Sequence, residues 1–244
     1  MREWDAPTYD RVSGPMQRWG AGVLERLELK GDEVVLDAGC GTGRVTALLL
    51  DRLPRGRVIA LDASKRMLEE ASQNLAGQGR RVEFVEADLG EPLPLRDKVD
   101  AVFSTATFHW VPDHDALFTN LAAVMRPGAS LVAQCGGKGN LDSVGVAVQA
   151  RGMAWPGFAF QDAEATADRL AAAGFAGVRT WLNKEPTEFE DRAALAEFLS
   201  TVVLRTYVAP LPESDRRGFL DGVIDDLGKL ELDYVRLNIT ARRG

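Results

Sequence analysis

Apolar residues fall along this chain in two alternating rhythms. Over residues 15–29, Met16, Trp19, Val23, Leu24 and Leu27 recur near helical spacing and predict a helix. The segment 31-GDE-33 breaks it. Then 34-VVLDAG-39 begins as a short, continuous apolar run, β-branched at its start, the signature of a strand buried on both faces. A glycine-rich turn leads into a helix over 44–53. Strand 57-RVIALD-62, a helix from 64-SKRMLEEASQNLA-76 with Ser64 as N-cap, and strand 81-RVEFVEAD-88 follow. Beyond the Pro-containing loop 90–98 come strand 99-VDAVFSTAT-107, a helix over 113–125 stopped by Arg126-Pro127-Gly128, and strand 130-SLVAQC-135.

Strands alternating with helices predict βαβ units, with right-handed crossovers placing helices on both faces of a parallel sheet. After residue 136 the rhythm loosens. The stretch 151-RGMAWPGFAFQD-162 is aromatic and punctuated by Gly and Pro. A helix at 162–173, a sixth strand at 177-GVRTWLN-183, two helices within 191–228 around 209-APLPES-214, and a last strand within 232-LDYVRLNITARR-243 complete the pattern. The fold class expected is α/β, a doubly wound, Rossmann-like, seven-stranded and mostly parallel sheet with a helical cap elaboration. One domain spans 1–244, with an N-terminal lid segment (1–20), a cofactor-binding core (31–137), a helical cap with the sixth strand (140–228) and the last strand (232–243).

Composition narrows the function classes. Hydrophobic residues make up 45% and charged residues 27%, enough apolar material for a sizeable core. The formal net charge of −7 repels phosphate backbones and anionic lipid, so neither nucleic acid nor membrane is an expected partner. Two cysteines, Cys40 and Cys135, make no disulfide framework, and no Cys/His cluster has zinc spacing, so no metal is expected. With no apolar signal core at the N-terminus and no apolar run near 18 residues, the expected location is the cytoplasm. Nothing in the sequence sets the oligomeric state.

The densest chemistry lies in 34-VVLDAGCGTGRVT-46. A strand ends in Asp37; Gly39, Gly41 and Gly43 follow, and a helix begins. Glycine there lets the backbone turn sharply and lets a flat ligand touch the main chain. A dinucleotide fingerprint would need its third glycine at position 44, which is Arg44. Asp62 ends the second strand, where a carboxylate can take ribose hydroxyls, and Asp88 ends the third. Carboxylates from Asp37, Asp62 and Asp88 around one crevice would repel a pyrophosphate. They suit a ligand with a ribose, positive charge and no phosphate.

This arrangement resembles the class I S-adenosylmethionine-dependent methyltransferases, on 36-LDAGCGTGR-44, on Asp62 with Ala63 and Met67, and on 87-ADL-89. The resemblance implies S-adenosyl-L-methionine as cofactor. Gly39, Cys40, Gly41 and Gly43 would wrap its methionine part, and Asp37 would hold its ammonium, often through water. Asp62 would take the ribose hydroxyls and Asp88 the adenine amino group, with Ala87 and Leu89 edging the ring. Three further segments, 4-WDAPTYDRVSGPMQRWG-20, 104-STATFHWVPDHDALFTNLAAVMRPGA-129 and 234-YVRLNITARR-243, are similar to the trans-aconitate methyltransferases and related small-acid carboxyl methyltransferases. That branch implies that the N-terminal segment closes over the cofactor, with Gln17 pointing inward. Ser104 stands where the branch often has Asn; a backbone contact to the methionine end would survive that change.

The acceptor expected is a small carboxylic acid. A carboxylate is already ionised at neutral pH and needs no base, only a cation or donors to fix it. His109, after strand four, is open to three roles: base, substrate donor or wall residue. As a base it would fit a natural-product O-, N- or C-methyltransferase. Trp110 could pack on the cofactor, close the acceptor pocket or belong to the core. His114, in 112-PDHD-115, reads as a solvated surface residue. Trp155, Phe158 and Phe160 could line an apolar pocket, and Arg11, Arg205, Tyr207 and Arg236 are candidates to clamp a carboxylate. Cys40 reads as a turn residue and Cys135 as buried and inert. A nicotinamide oxidoreductase and a non-catalytic cofactor-binding protein are the readings from other classes.

Overall fold

Neighbouring residues on the first strand belong to opposite faces of one sheet, and both faces are covered. In the computed structural model, which describes residues 14–155 and 158–244 (14–18 as backbone only), β1 runs Val34–Ala38. Val35 packs with Val23 and Leu24 of α1 (Gly14–Leu24), with Leu27 in the segment after it, and with Leu49 and Leu50 of α2 (Arg44–Asp51). Leu36 packs on the other side with Leu117, Phe118 and Leu121 of α4 (His114–Val124). Period-two alternation with cover on both sides is why the strand reads as an unbroken apolar run.

The sheet has seven strands in the order β3-β2-β1-β4-β5-β9-β6. Here β2 is Arg57–Asp62, β3 Val82–Glu86, β4 Val99–Thr105, β5 Met125–Gly136, β6 Phe175–Lys184 and β9 Val235–Arg243. β3, β2, β1, β4 and β5 are mutually parallel. β9 enters antiparallel between β5 and β6. Strand order reverses beside β1, and a crevice at the carboxyl ends of β1 and β4 follows from that reversal.

Element positions follow the sequence pattern, with informative differences. Ser64 caps α3 (Lys65–Asn74), its hydroxyl accepting the Met67 N–H at 3.3 Å. β5 starts at Met125, five residues before the expected strand, because Met125 pairs with Val99 ahead of a register shift. The cap contains a helix that the pattern does not announce, α5 (Asp142–Gln149). α5 shares a second core with α7 (Arg192–Phe198), the π-helical Leu199–Val203, α8 (Arg205–Val208) and α9 (Glu213–Leu227). The remaining pieces are α6 (Ala163–Ala172) and the two-stranded pair β7 (Thr187–Glu188) and β8 (Glu231–Leu232). Among the described residues no helix is long and apolar enough to cross a membrane.

Candidate functional site

Past the end of β1 the chain doubles back onto β2. The Gly39 and Cys40 N–H groups both donate to the Leu61 carbonyl, at 2.8 and 2.9 Å. Gly39 has φ +87°, and a Cβ there would lie 2.1 Å from the Thr107 hydroxyl, so only glycine lets the turn seat against the loop after β4. At Gly41, φ +54°, a Cβ would meet nothing within 4 Å, so bare backbone faces open space. Gly43 ends the turn as the residue before α2.

Two carboxylates shape this end. Asp62 accepts the Gly41 N–H through Oδ2 and the Ser64 N–H through Oδ1, both at 2.9 Å, and so stitches the glycine turn to the start of α3. Asp88, after β3, accepts the Gly90 N–H at 2.9 Å. A third, Asp37, lies behind the turn and is only 2% exposed. The Thr46 hydroxyl donates to its Oδ2 at 2.6 Å, while Oδ1 has no hydrogen-bond partner among the described residues. Burial pushes the Asp37 carboxyl up to about 7, opposed by the Thr46 bond and reinforced by the charge on Asp62. A buried anion with one donor is a site that favours a cation.

The opposite end is built on a 3₁₀ turn, Phe108–Trp110, that follows β4. The ring of His109 lies 5.2 Å from Trp110 and 5.7 Å from both Phe158 and Phe160. The Gly136 N–H donates to His109 Nδ1 at 3.3 Å. Burial first, then the Arg236 cation and His114, hold the His109 imidazolium well below its ordinary range. Arg236, 2% exposed on β9, stacks over the Trp19 ring at 4.6 Å and donates toward Gln134 at 3.4 Å.

His114 is not the solvated residue expected. It is 3% exposed, and its Nε2 lies 3.0 Å from the Phe108 carbonyl, so Nε2–H donates and fastens the turn that carries His109. Helix α4, capped at Asp113, draws the ring inward against Phe118. His114→Ala is expected to lower stability by about 1–3 kcal/mol, since the Phe108 carbonyl keeps only the Val111 N–H as donor and a cavity opens. Urea unfolding at pH 7.5 checks the value.

A cleft of about 320 Å³ joins the two ends, within the range of small-molecule sites. Its walls include Gly39, Gly41, Asp62, Ala63, Met67, Ala87, Asp88, Leu89, His109 and Trp110. Four other residues expected at the site, Asp37, Cys40, Gly43 and Ser104, do not form its wall and stand just behind it. Ser104 donates its hydroxyl to the Ala38 carbonyl at 2.6 Å, bracing β1 against β4. Cys40 is buried beside Ala60 and Leu68, with its thiol pushed up by burial and by Asp37 and Asp62. Gln17 falls on the backbone-only start of α1, and Arg11 precedes it, so their expected contacts lie outside the described residues.

Phe158, Phe160, Arg205 and Arg236 line the cleft as well. Trp155 and Tyr207 stack on each other at 5.7 Å, and the Tyr207 hydroxyl donates to the Ala154 carbonyl at 3.0 Å. Thr107 and Asn140 were missed; both line the cleft. Neither carries a signal beyond its place after a strand, though the strand-end rule could have flagged Thr107.

Comparison with known proteins gives a consistent picture. Residues 35–128 match the family model described as a methyltransferase domain. The chain is 31% identical to a trans-aconitate 2-methyltransferase of Methylobacterium radiotolerans, over 100% of this chain and 99% of that one. It is 29% identical to the trans-aconitate 2-methyltransferase of Escherichia coli, with the same coverage of both chains. A solved phosphoethanolamine N-methyltransferase 2 of Haemonchus contortus, in complex with S-adenosyl-L-methionine, is similar with a TM-score of 0.65 at 18% identity. That match covers 97% of this chain, which spans 56% of that protein's length. At such identity the structural likeness speaks to the fold alone.

Proposed function

The chain belongs to the class I S-adenosylmethionine-dependent methyltransferases, and from that premise we propose that it methylates a carboxylate of a small organic acid of the trans-aconitate type. It is an enzyme, and its cofactor is S-adenosyl-L-methionine. One observation carries the acceptor reading. Charged residues on the cleft wall divide by sign, Asp62 and Asp88 on the β2–β3 side, Arg205 and Arg236 on the cap and β9 side. The acidic half suits the cofactor; the cationic half suits an acid. The two trans-aconitate 2-methyltransferases at about 30% identity support the same acceptor class.

The residues present fit the cofactor. Asp37 is a buried side chain whose Oδ1 accepts no hydrogen bond among the described residues, suited to the ammonium directly or through water. The open space over Gly41 leaves room for the methionine part. Asp62 would take the ribose hydroxyls, and Asp88 with Ala87 and Leu89 would border the adenine. Met67 and Ala63 supply apolar wall between them.

When bound, the cofactor supplies a methyl group already activated by a sulfonium. The chain's task is to hold the acceptor oxygen behind that carbon and exclude water; such positioning is worth an effective molarity of ~10⁵ M or more. Trp110, Phe158 and Phe160 wall the acceptor end against solvent, and the cations orient the acid. The same aromatic wall favours a second reading, an apolar natural-product acceptor that would need a base. A transfer screen with methyl-labelled cofactor against di- and tricarboxylates, fatty acids and phenolics separates the two. Label in base-labile esters is expected, and transfer confined to phenolics would sink the carboxylate reading.

A further inference from the structure

His109 is the imidazole on the cleft wall, and its hydrogen bonding fixes which nitrogen holds the proton. A backbone N–H can only donate, so the Gly136 N–H makes Nδ1 an acceptor, and a neutral ring then carries its proton on Nε2. Gly136 is held in place. It pairs with Arg236 across β5 and β9, and a Cβ on it would lie 2.5 Å from the Phe160 ring. The main chain of His109 is pinned from the cap side, its carbonyl accepting the Ala159 N–H at 2.9 Å. Nε2 makes no hydrogen bond within the described residues.

Resting on the carboxylate reading above, we infer that His109 donates a hydrogen bond through Nε2–H to the acceptor carboxylate and takes no proton from it. The step balances without a base. An acceptor oxygen attacks the methyl carbon, the new C–O bond forms, the C–S bond breaks with its electron pair going to sulfur, and no proton is released. A donor on one carboxylate oxygen aims the other along the line of attack.

The groups around the ring agree with that role. Arg236 faces it from β9, His114 from the start of α4, and Cys135 from β5, its thiol pushed up to about 12 by burial. Arg205 shares the cleft wall, while Asp62 and Asp88 lie at the far end. Among the described residues no carboxylate is among the groups that act on His109. The depressed imidazolium keeps the ring neutral, and so a donor at Nε2, at neutral pH.

The test compares His109→Gln, which keeps an N–H donor but cannot act as a base, with His109→Ala. With a carboxylic acid acceptor, kcat/KM is expected to fall about 10- to 100-fold in the Ala variant and to recover most of that in the Gln variant. With S-adenosyl-L-methionine saturating, which holds Asp37 ionised, the wild-type pH profile is expected to be flat from the acid side of neutrality upward. Imidazole ¹⁵N spectra of the enzyme with S-adenosylhomocysteine, which need no turnover, should show the Nε2–H tautomer. An Nδ1–H tautomer, a Gln variant as weak as the Ala variant, or a rise with pH at saturating cofactor that the Gln variant loses overturns the inference and leaves the carboxylate reading standing. Failure to methylate any acid, with phenolics turned over instead, overturns that reading and the donor role together.

Discussion

Asp62→Ala is expected to weaken S-adenosylhomocysteine binding by about 100-fold or more, the largest loss from any single change in the cofactor half. Two roles converge on this carboxylate. Within the protein it accepts the Gly41 and Ser64 N–H groups at 2.9 Å, and so holds the glycine turn and the first turn of α3 at a fixed separation. Toward the cleft, the same group would accept the ribose hydroxyls. Each charge-assisted hydrogen bond is worth about 1.5–3 kcal/mol, so losing two at the ribose gives about 3–6 kcal/mol, or roughly 10²–10⁴ in affinity. Asp62→Asn separates the roles. An amide keeps the shape but turns one oxygen into an N–H₂ donor, which would confront the donor of Gly41 or of Ser64. Binding should fall in both variants, with a further loss of about 1–2 kcal/mol of folding stability in the Asn variant. Calorimetry with S-adenosylhomocysteine reads the affinity directly; a dissociation constant within threefold of the parent in the Ala variant would remove Asp62 from the ribose.

How far such a site can be read before folding depends on whether its parts are local. Val35 and Leu36 announce a doubly covered strand because burial on both faces leaves no polar position in the run. Asp62 stands out because a carboxylate ending a parallel strand points at the crevice. The cationic half is another matter. Arg236 is one of 29 basic residues in sequence, and only the antiparallel pairing of β9 with β5 sets it opposite Gly136 and near His109. His114 sits among three acidic and proline residues in 112-PDHD-115, a string that reads as surface. Its burial comes from a tertiary bond to a carbonyl six residues back. Helix α5 escapes notice because its eight residues include Gly145, which depresses the helical signal; that glycine is required where Trp155 packs, since a Cβ would lie 2.9 Å from the indole.

The affinity for S-adenosylhomocysteine is expected to climb with pH up to about 7 and level off above it, because Asp37 must ionise to hold the ammonium. In the free protein, burial raises this carboxyl from the usual 3.8 to about 7. A bound cation favours the ionised form, so binding expels a proton below that value. Affinity then drops about tenfold per pH unit, or roughly 100-fold between about pH 7 and pH 5. For folding the sign is opposite. A carboxyl raised in the folded state contributes stability that is fully present below the unfolded value and is lost as pH rises through about 7. The total approaches about 4 kcal/mol, so ligand-free Asp37→Asn should be more stable than the parent at pH 8, with the advantage shrinking toward pH 4. Asparagine can still accept the Thr46 hydroxyl, whose bond to Asp37 is 2.6 Å long, which makes the comparison one of charge alone. The variant should bind S-adenosylhomocysteine weakly and without the pH slope. Calorimetry in buffers of different ionisation enthalpy counts the proton released. A flat parent profile with no proton released would mean that the ammonium is held elsewhere on the turn and that Asp37 serves only the packing of β1 against α2.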